Sequence, residues 1–348
     1  MSKVIMHLLR SNSFSGAENV ACQIIKLFNK DLNYKMVYVC PNGPITSILD
    51  ELNISYFTIE KFNMYNIWLA IKEINPDIIH AHDILASVYA SIIAPQKVEI
   101  VSHVHVNNTD MTKVNMKTIL FRLMSKKFKH IFWVSDSCYD NYIFKDSTKM
   151  KSTILYNIVD ENYILNKSQE AEIMDKFDIV FIGRLQFQKN PQKLINILKI
   201  IHDKFNQKFT VALIGSGPLL FEINELIAEL KLEQNIRYFG FLNNPLGILS
   251  NSKVMVLTSR FEGTPICALE AMALGVPIVS TPTDGMNNLI YPGKNGYLSN
   301  NDDYLARQIN KIITNESLRQ SLSKNSKIIF KQKNNTKYKD QITKVYRG

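Results

Sequence analysis

Cysteine is scarce and scattered: Cys22, Cys40, Cys138 and Cys267 stand singly among 348 residues, with no CxxC pair. That excludes a disulfide-stapled scaffold and a thiolate zinc finger, and it predicts reduced thiols. Long apolar runs are missing too. None approaches the ~20 residues that span a bilayer, so no transmembrane helix is expected. The opening stretch, MSKVIMHLLRSNSFSGAE, lacks the small-residue cleavage site of a secretory leader, and the expectation is a cytoplasmic protein. Acidic residues are the scarcer charge, 31 against 41 Lys and Arg, for a net +10. A polyanionic partner follows: nucleic acid, an anionic membrane surface or a phosphorylated substrate. No nucleic-acid-binding motif accompanies the charge, so nucleic acid is set aside.

What is present is an alternation of buried-strand and helix patterns, the βαβ signature of parallel sheets covered on both faces. VIMHLL (4–9), KMVYVC (35–40), SYFTI (55–59), DIIHAH (77–82), EIVSHVHV (99–106) and HIFWVS (130–135) read as strands, with helices at 17–29, 45–52, 64–75, 84–94 and 113–128 between them. The pattern restarts with DIVFIG (178–183), FTVALIG (209–215), IRYFGF (236–241), SKVMVLT (252–258), VPIVST (276–281) and GYLS (296–299). Its helices fall near 191–205, 219–231, 265–274 and 302–313. The polar stretch 160–176 reads as a linker. The fold class is therefore α/β with two Rossmann-like, doubly wound domains facing across a cleft, 1–165 and 166–329. Ligands in such sheets sit at the carboxyl ends of the strands. From Lys324 onward eight Lys or Arg meet one acid, Asp340; this basic tail is either a terminal helix, 330–348, packed back on the first domain or a solvated polar face.

One short stretch carries the most chemistry. In FEGTPICALEAM (261–272) Glu262 and Glu270 lie eight apart around Thr264 and Pro265. The Thr hydroxyl can cap a helix whose first residue is Pro265, and Gly275 ends it. Glu262 then precedes the helix and Glu270 lies inside it, about 9 Å along the axis. Between them lie the amides of Gly263 to Ile266 and the positive end of the helix dipole, which suit an anion. Such a row of groups matches a nucleoside-diphosphate sugar: sugar hydroxyls on Glu262, diphosphate on the amides, ribose hydroxyls on Glu270.

FEGTPICALEAMALGVPIVST resembles the E-x7-E segment of the retaining glycosyltransferase family 4, whose members have the GT-B fold and include bacterial capsular and exopolysaccharide enzymes. FIGRLQFQKNP (181–191), LIGSGPLL (213–220), IRYFGFL (236–242), FSGAENV (14–20), DIIHAHD and VSHVHVNN follow in the family's order. The resemblance implies transfer of a sugar from a nucleotide-diphosphate sugar, UDP by base rate, with retention of anomeric configuration. It implies that Glu262 meets the donor sugar, Glu270 the ribose, and backbone near Leu242 the base. It also implies that His105, with His103 as alternate, orients the sugar or shares the acceptor's proton. Two departures stand out. Ser15 replaces a family glycine beside Gly16, which would let backbone approach the donor, and Asn288 stands where the family's Gly-Gly-x-x-Glu motif has its acid.

When the donor's glycosidic bond breaks, negative charge grows on the leaving diphosphate. No two aspartates lie two residues apart to hold a metal there, so Arg184 and Lys189 are the expected counter-charges, and no metal or cofactor is expected. Residues 111–133 hold six Lys or Arg and no acid. On one long helix Arg122, Lys126 and Lys129 would form a stripe, which suits peripheral binding to an anionic leaflet and an acceptor linked to undecaprenyl diphosphate. Two alternatives stay open: an epimerase of the same fold acting on a nucleotide sugar, and a metal hydrolase using the His-x-His pairs with Asp83.

Overall fold

The structure, a computed structural model, describes residues 2–105, 109–171, 175–205, 208–333 and 337–348. The chain divides into two compact units, Met1–Ile158 with Thr336–Gly348, and Val159–Asn335.

The first unit is built on β1 (Lys3–Leu8), β2 (Tyr34–Pro41), β3 (Tyr56–Ile59), β4 (Ile78–Ala81), β5 (Glu99–Val104), β6 (Phe128–Trp133) and β7 (Ser152–Ile154). They lie in the order β3-β2-β1-β4-β5-β6-β7, every neighbouring pair parallel. The chain winds outward from β1 through β3, then returns to β1's other side as β4. That reversal opens a crevice at the carboxyl ends of β1 and β4. Met6, Leu8, Val39, Ile79, Phe121 and Trp133 form part of its core, each full burial contributing about 1.5–3 kcal/mol.

The second unit repeats the plan with β8 (Phe177–Ile182), β9 (Val211–Ile214), β10 (Ile236–Gly240), β11 (Ser252–Leu257), β12 (Ile278–Ser280) and β13 (Gly296–Leu298). Their order is β10-β9-β8-β11-β12-β13, again all parallel. The equivalent reversal falls between β8 and β11. Two Rossmann-like parallel sheets are thus present.

Several elements depart from the sequence reading, among them β7, which it did not mark. Much of the stretch read as a linker is helical, Glu161–Gln169, started by Asp160 accepting from the Tyr163 amide at 3.0 Å. It buries Ile164 and packs on the helices Leu246–Ser250 and Ile266–Leu274, which moves the division of the chain from 165/166 to 158/159; residues 172–174 of that stretch lie outside the described residues. The helix expected over 113–128 spans only Met116–Met124, because Asn115 and Thr118 form a reciprocal capping box at its start and β6 takes the chain from Phe128. Lys129 therefore belongs to a strand, paired with Glu99 at 2.8 Å, and shares no helical stripe with Arg122. Asn288 lies on a short helix, Asp284–Leu289, where the sequence reading assigned no element. The basic tail follows the terminal-helix reading in part: it forms two helices, Glu316–Lys333 and Lys337–Arg347, in place of one over 330–348, and the latter belongs to the first unit, where it buries Tyr338, Ile342 and Tyr346.

Candidate functional site

In the second unit the loops after β8 and β11 meet at the reversal of strand order. Backbone bonds hold them together: Arg260 N–H donates to the Gln188 carbonyl at 2.8 Å, and the Thr258 hydroxyl donates to the Asn190 carbonyl at 2.9 Å. The Arg260 guanidinium bonds Asn190 Oδ1 at 3.0 Å and lies over the Phe187 ring. On this frame Lys189 Nζ and Glu262 Oε1 form an ion pair, with side chains 16% and 9% exposed. Ser259 donates to the same carboxylate oxygen at 2.6 Å. Burial pulls the Lys189 pKa down, but the attraction and hydrogen bond of Glu262 outweigh it and hold Lys189 above its ordinary value. Arg184, on the β8 side, is exposed, and no ion pair to it is found among the described residues.

The helix after this loop spans Ile266–Leu274, and its N-cap is Pro265 in extended conformation without a side-chain cap. Thr264 is thus one place ahead of the capping position and Pro265 is not the first helical residue, because Pro265's ψ of 123° keeps it outside the helix. Gly263, Thr264, Pro265 and Ile266 are all buried. Glu270 lies one turn in, and burial raises its carboxyl to about 7. Cys267 sits among the charges: burial pushes its thiol to about 12, and Lys189, Glu262 and Glu270 all act on it electrostatically. One neighbourhood therefore joins the two glutamates to the two cations. Sequence reasoning missed Ser259 and Cys267; the signal for both was proximity, Ser259 three residues before Glu262 and Cys267 three before Glu270.

Two glycines fix how closely neighbouring loops approach. Gly215, after β9, has φ +133°, and a Cβ there would lie 2.0 Å from the Gly183 carbonyl oxygen. A Cβ on Gly285 would lie 1.3 Å from the Gly263 oxygen, so the helix Asp284–Leu289 rests its first turn on the backbone beside Glu262. Asn288 follows on that helix, half-buried. Leu242, half-buried, follows β10. Gly16 starts the first unit's first helix, Gly16–Phe28, and a Cβ there would meet nothing within 4 Å, so the chain's own packing does not demand glycine.

The first unit gathers histidines at its own reversal. His7 on β1, His80 and His82 at β4, and His103 and His105 at β5 project from one face of adjacent strands, because alternate residues share a face. His105 Nε2 lies 2.9 Å from His82 Nδ1, and His82 Nε2 lies 2.9 Å from His7 Nδ1. His80 Nδ1 meets the Tyr346 hydroxyl at 2.6 Å. Burial lowers His7 and His105 to about 3 and drives His80, His82 and His103 well below their ordinary value, so all five rings are neutral. Within each of two triads, His7–His80–His82 and His82–His103–His105, nitrogens lie within 4.8 Å of one another. Asp83, the carboxylate expected to join them in a hydrolase, is engaged elsewhere: it caps the Ala86 amide at 2.6 Å and pairs with Arg10 at 3.3 Å. The polar turn Asn107–Asn108 lies outside the described residues.

Comparison with known proteins agrees with this architecture. The family model for glycosyltransferase family 4 matches residues 14–163, and that for glycosyl transferases group 1 matches residues 164–329. An uncharacterized glycosyltransferase of Methanocaldococcus jannaschii is 32% identical over 45% of this chain and 40% of that protein. N-acetyl-alpha-D-glucosaminyl L-malate synthase of Bacillus anthracis is 23% identical over 92% of this chain and 88% of its own. The capsular polysaccharide biosynthesis glycosyltransferase CapH of Staphylococcus aureus is 23% identical over 77% and 78%. Among solved structures, Anabaena HepE in complex with UDP-glucose superposes with a TM-score of 0.85 over 99% of both chains at 19% identity, which establishes the shared GT-B fold. With the two models matched in tandem over two sheets that share the order of six strands, the chain belongs to glycosyltransferase family 4.

Proposed function

We propose that this glycosyltransferase moves a sugar from a nucleotide-diphosphate sugar, UDP being the favoured nucleotide, to a saccharide acceptor, with retention of configuration and without a metal. The observation that carries the reading is the buried Lys189–Glu262 pair between the loops after β8 and β11, with exposed Arg184 and raised Glu270 beside it. HepE, of the same fold, binds UDP-glucose.

In this reading Glu270 receives the ribose hydroxyls and Leu242 lies against the base. The backbone from Gly263 to Ile266 faces the diphosphate at the uncapped helix start. As the bond from the anomeric carbon to the diphosphate breaks, the leaving oxygens gain charge, and Arg184 with Lys189 stabilises them more than the intact donor. Glu262, fixed by Lys189 and Ser259, keeps lone pairs for sugar hydroxyls. His105 and Gly16 belong to the acceptor-side unit.

The acceptor is proposed to be linked to a membrane lipid, such as undecaprenyl diphosphate, in surface polysaccharide assembly. Support comes from the helix Met116–Met124. Met116, Ile119, Leu120 and Leu123, at helical spacing, are 72, 39, 36 and 48% exposed, and Val114 just ahead is 60% exposed. Lys113, Arg122, Lys126 and Lys127 are exposed around them. An apolar stripe rimmed by cations suits the headgroup region of an anionic leaflet, with the enzyme peripheral to it. No helix among the described residues is long and apolar enough to cross a membrane.

The test is thermal stabilisation by UDP, GDP, ADP, CMP and dTDP in EDTA, since a ligand bound only by the folded state raises the melting temperature. One strongly preferred nucleotide is the expected outcome. No shift with any of them refutes the donor site.

A further inference from the structure

The histidines hold more information than their burial. His105, His82 and His7 form a hydrogen-bonded chain: their ring centres are 5.1 and 5.2 Å apart at N···N separations of 2.9 Å, and successive ring planes differ by 14° and 28°. That is the separation of rings bonded in line and in plane, each shared proton lying between two nitrogens. His80 stacks on His82 with centres 4.5 Å apart, and His103 packs on His105 at 4.1 Å, so the chain is clamped from the side.

A neutral imidazole has one N–H and one bare nitrogen. Three neutral rings joined by two links therefore have only two proton arrangements. If His82 donates from Nδ1 to His105, then His7 donates to His82, and the spare proton sits on His105 Nδ1. If His82 donates from Nε2 to His7, the spare proton sits on His7 Nε2 and His105 Nδ1 is bare. Both end nitrogens are buried without a partner. His7, however, is fully enclosed, whereas His105 is half-buried beyond the end of β5. An orphan N–H is among the costliest groups to enclose, and only on the half-buried His105 ring can an arriving ligand oxygen relieve it, so the first arrangement is the one assigned.

We propose that His82 and His7 are positioning residues that hold His105 as the tautomer with its proton on Nδ1. This rests on the reading of His105 as a substrate-facing group and sharpens it: His105 donates a hydrogen bond to a ligand oxygen and does not remove a proton. Removing one would put a cation beside four enclosed rings.

The test is 15N spectroscopy of histidine-labelled protein, with His105 assigned by its loss in His105→Gln. The expected spectrum has a protonated-type Nδ1 and a bare-type Nε2 for His105, and His82→Phe turns these into averaged shifts of two tautomers. A proton found on Nε2 in the wild type, an unchanged His105 in His82→Phe, or one equivalent of zinc in place of the shared protons would each overturn the proposal. If His82→Phe fails to fold, the wild-type spectrum decides alone. None of these readouts depends on transferase activity, so a His105 that proves remote from substrate is recognised separately, by unchanged kcat and KM in His105→Gln.

Discussion

Lys189 and Glu262, 73 residues apart in sequence, share a buried ion pair that joins the two loops where the second sheet reverses its strand order. Removing one partner leaves a charge enclosed and unpaired. Glu262→Gln and Lys189→Met are each expected to destabilise the protein by about 3–5 kcal/mol, and the double variant by less than their sum. Urea denaturation of the three variants checks this, and simple additivity would show that the two side chains do not depend on each other.

The proposed role of Glu270 predicts a pH dependence of donor binding. Burial raises its carboxyl to about 7, so the acid form dominates below that pH and the carboxylate above it. In the proposed site, ribose hydroxyls donate to the carboxylate. Nucleotide affinity is therefore expected to rise with pH from 6 to 8, by up to about tenfold per unit below 7, and to flatten in Glu270→Gln. Calorimetric titrations across that range measure it; equal slopes in wild type and variant would remove Glu270 from the site.

The histidine chain predicts acid lability. His7 and His105 are lowered to about 3 in the folded protein, against an ordinary 6.5, and His80, His82 and His103 fall in the same direction. A lowered histidine stabilises the fold fully above 6.5, and that contribution is lost as pH falls, because the unfolded chain takes up protons that the folded one refuses. Each ring costs about 1.4 kcal/mol per pH unit below 6.5. Melting temperatures from pH 8 to 5 should hold steady and then drop steeply below 6.5. A flat profile would mean that the rings are charged or solvated.

The membrane contact proposed for the exposed helix Met116–Met124 is separable from nucleotide binding. Met116→Ser with Leu123→Ser is expected to abolish flotation with anionic vesicles and to leave nucleotide stabilisation unchanged. Replacing Arg122 and Lys126 by Glu should act in the same direction and more strongly at low salt. Flotation that survives all four changes would place any membrane contact elsewhere.

Period and punctuation made much of this legible from sequence. Apolar runs of four to eight residues marked twelve of the strands; β7, three residues long and only half-buried, is too short to carry a pattern. The glutamate pair and the loop Arg184 to Lys189 were visible because their residue types and spacing are chemical. What stayed hidden was long-range pairing. Nothing local says that Lys189 meets Glu262, that Asp83 is occupied by Arg10 and a helix cap, or that His7 completes a chain begun at His105. Helix ends were misplaced where a cap competed with the apolar period, as at Asn115, or where a proline reads equally well at two neighbouring positions, as at Pro265.

The helix Lys337–Arg347 belongs to the first unit although it follows the second in the chain. Tyr346 lies against Phe28 and Tyr34, bonds His80, and its carbonyl accepts from Lys3 at 2.7 Å. A ribosome must therefore make the whole second unit before the first can be closed. Until then the aromatic seat of Tyr346 and the edge of the histidine row stand open, and the second unit is the one able to finish folding first. The order of synthesis and the order of completion are reversed.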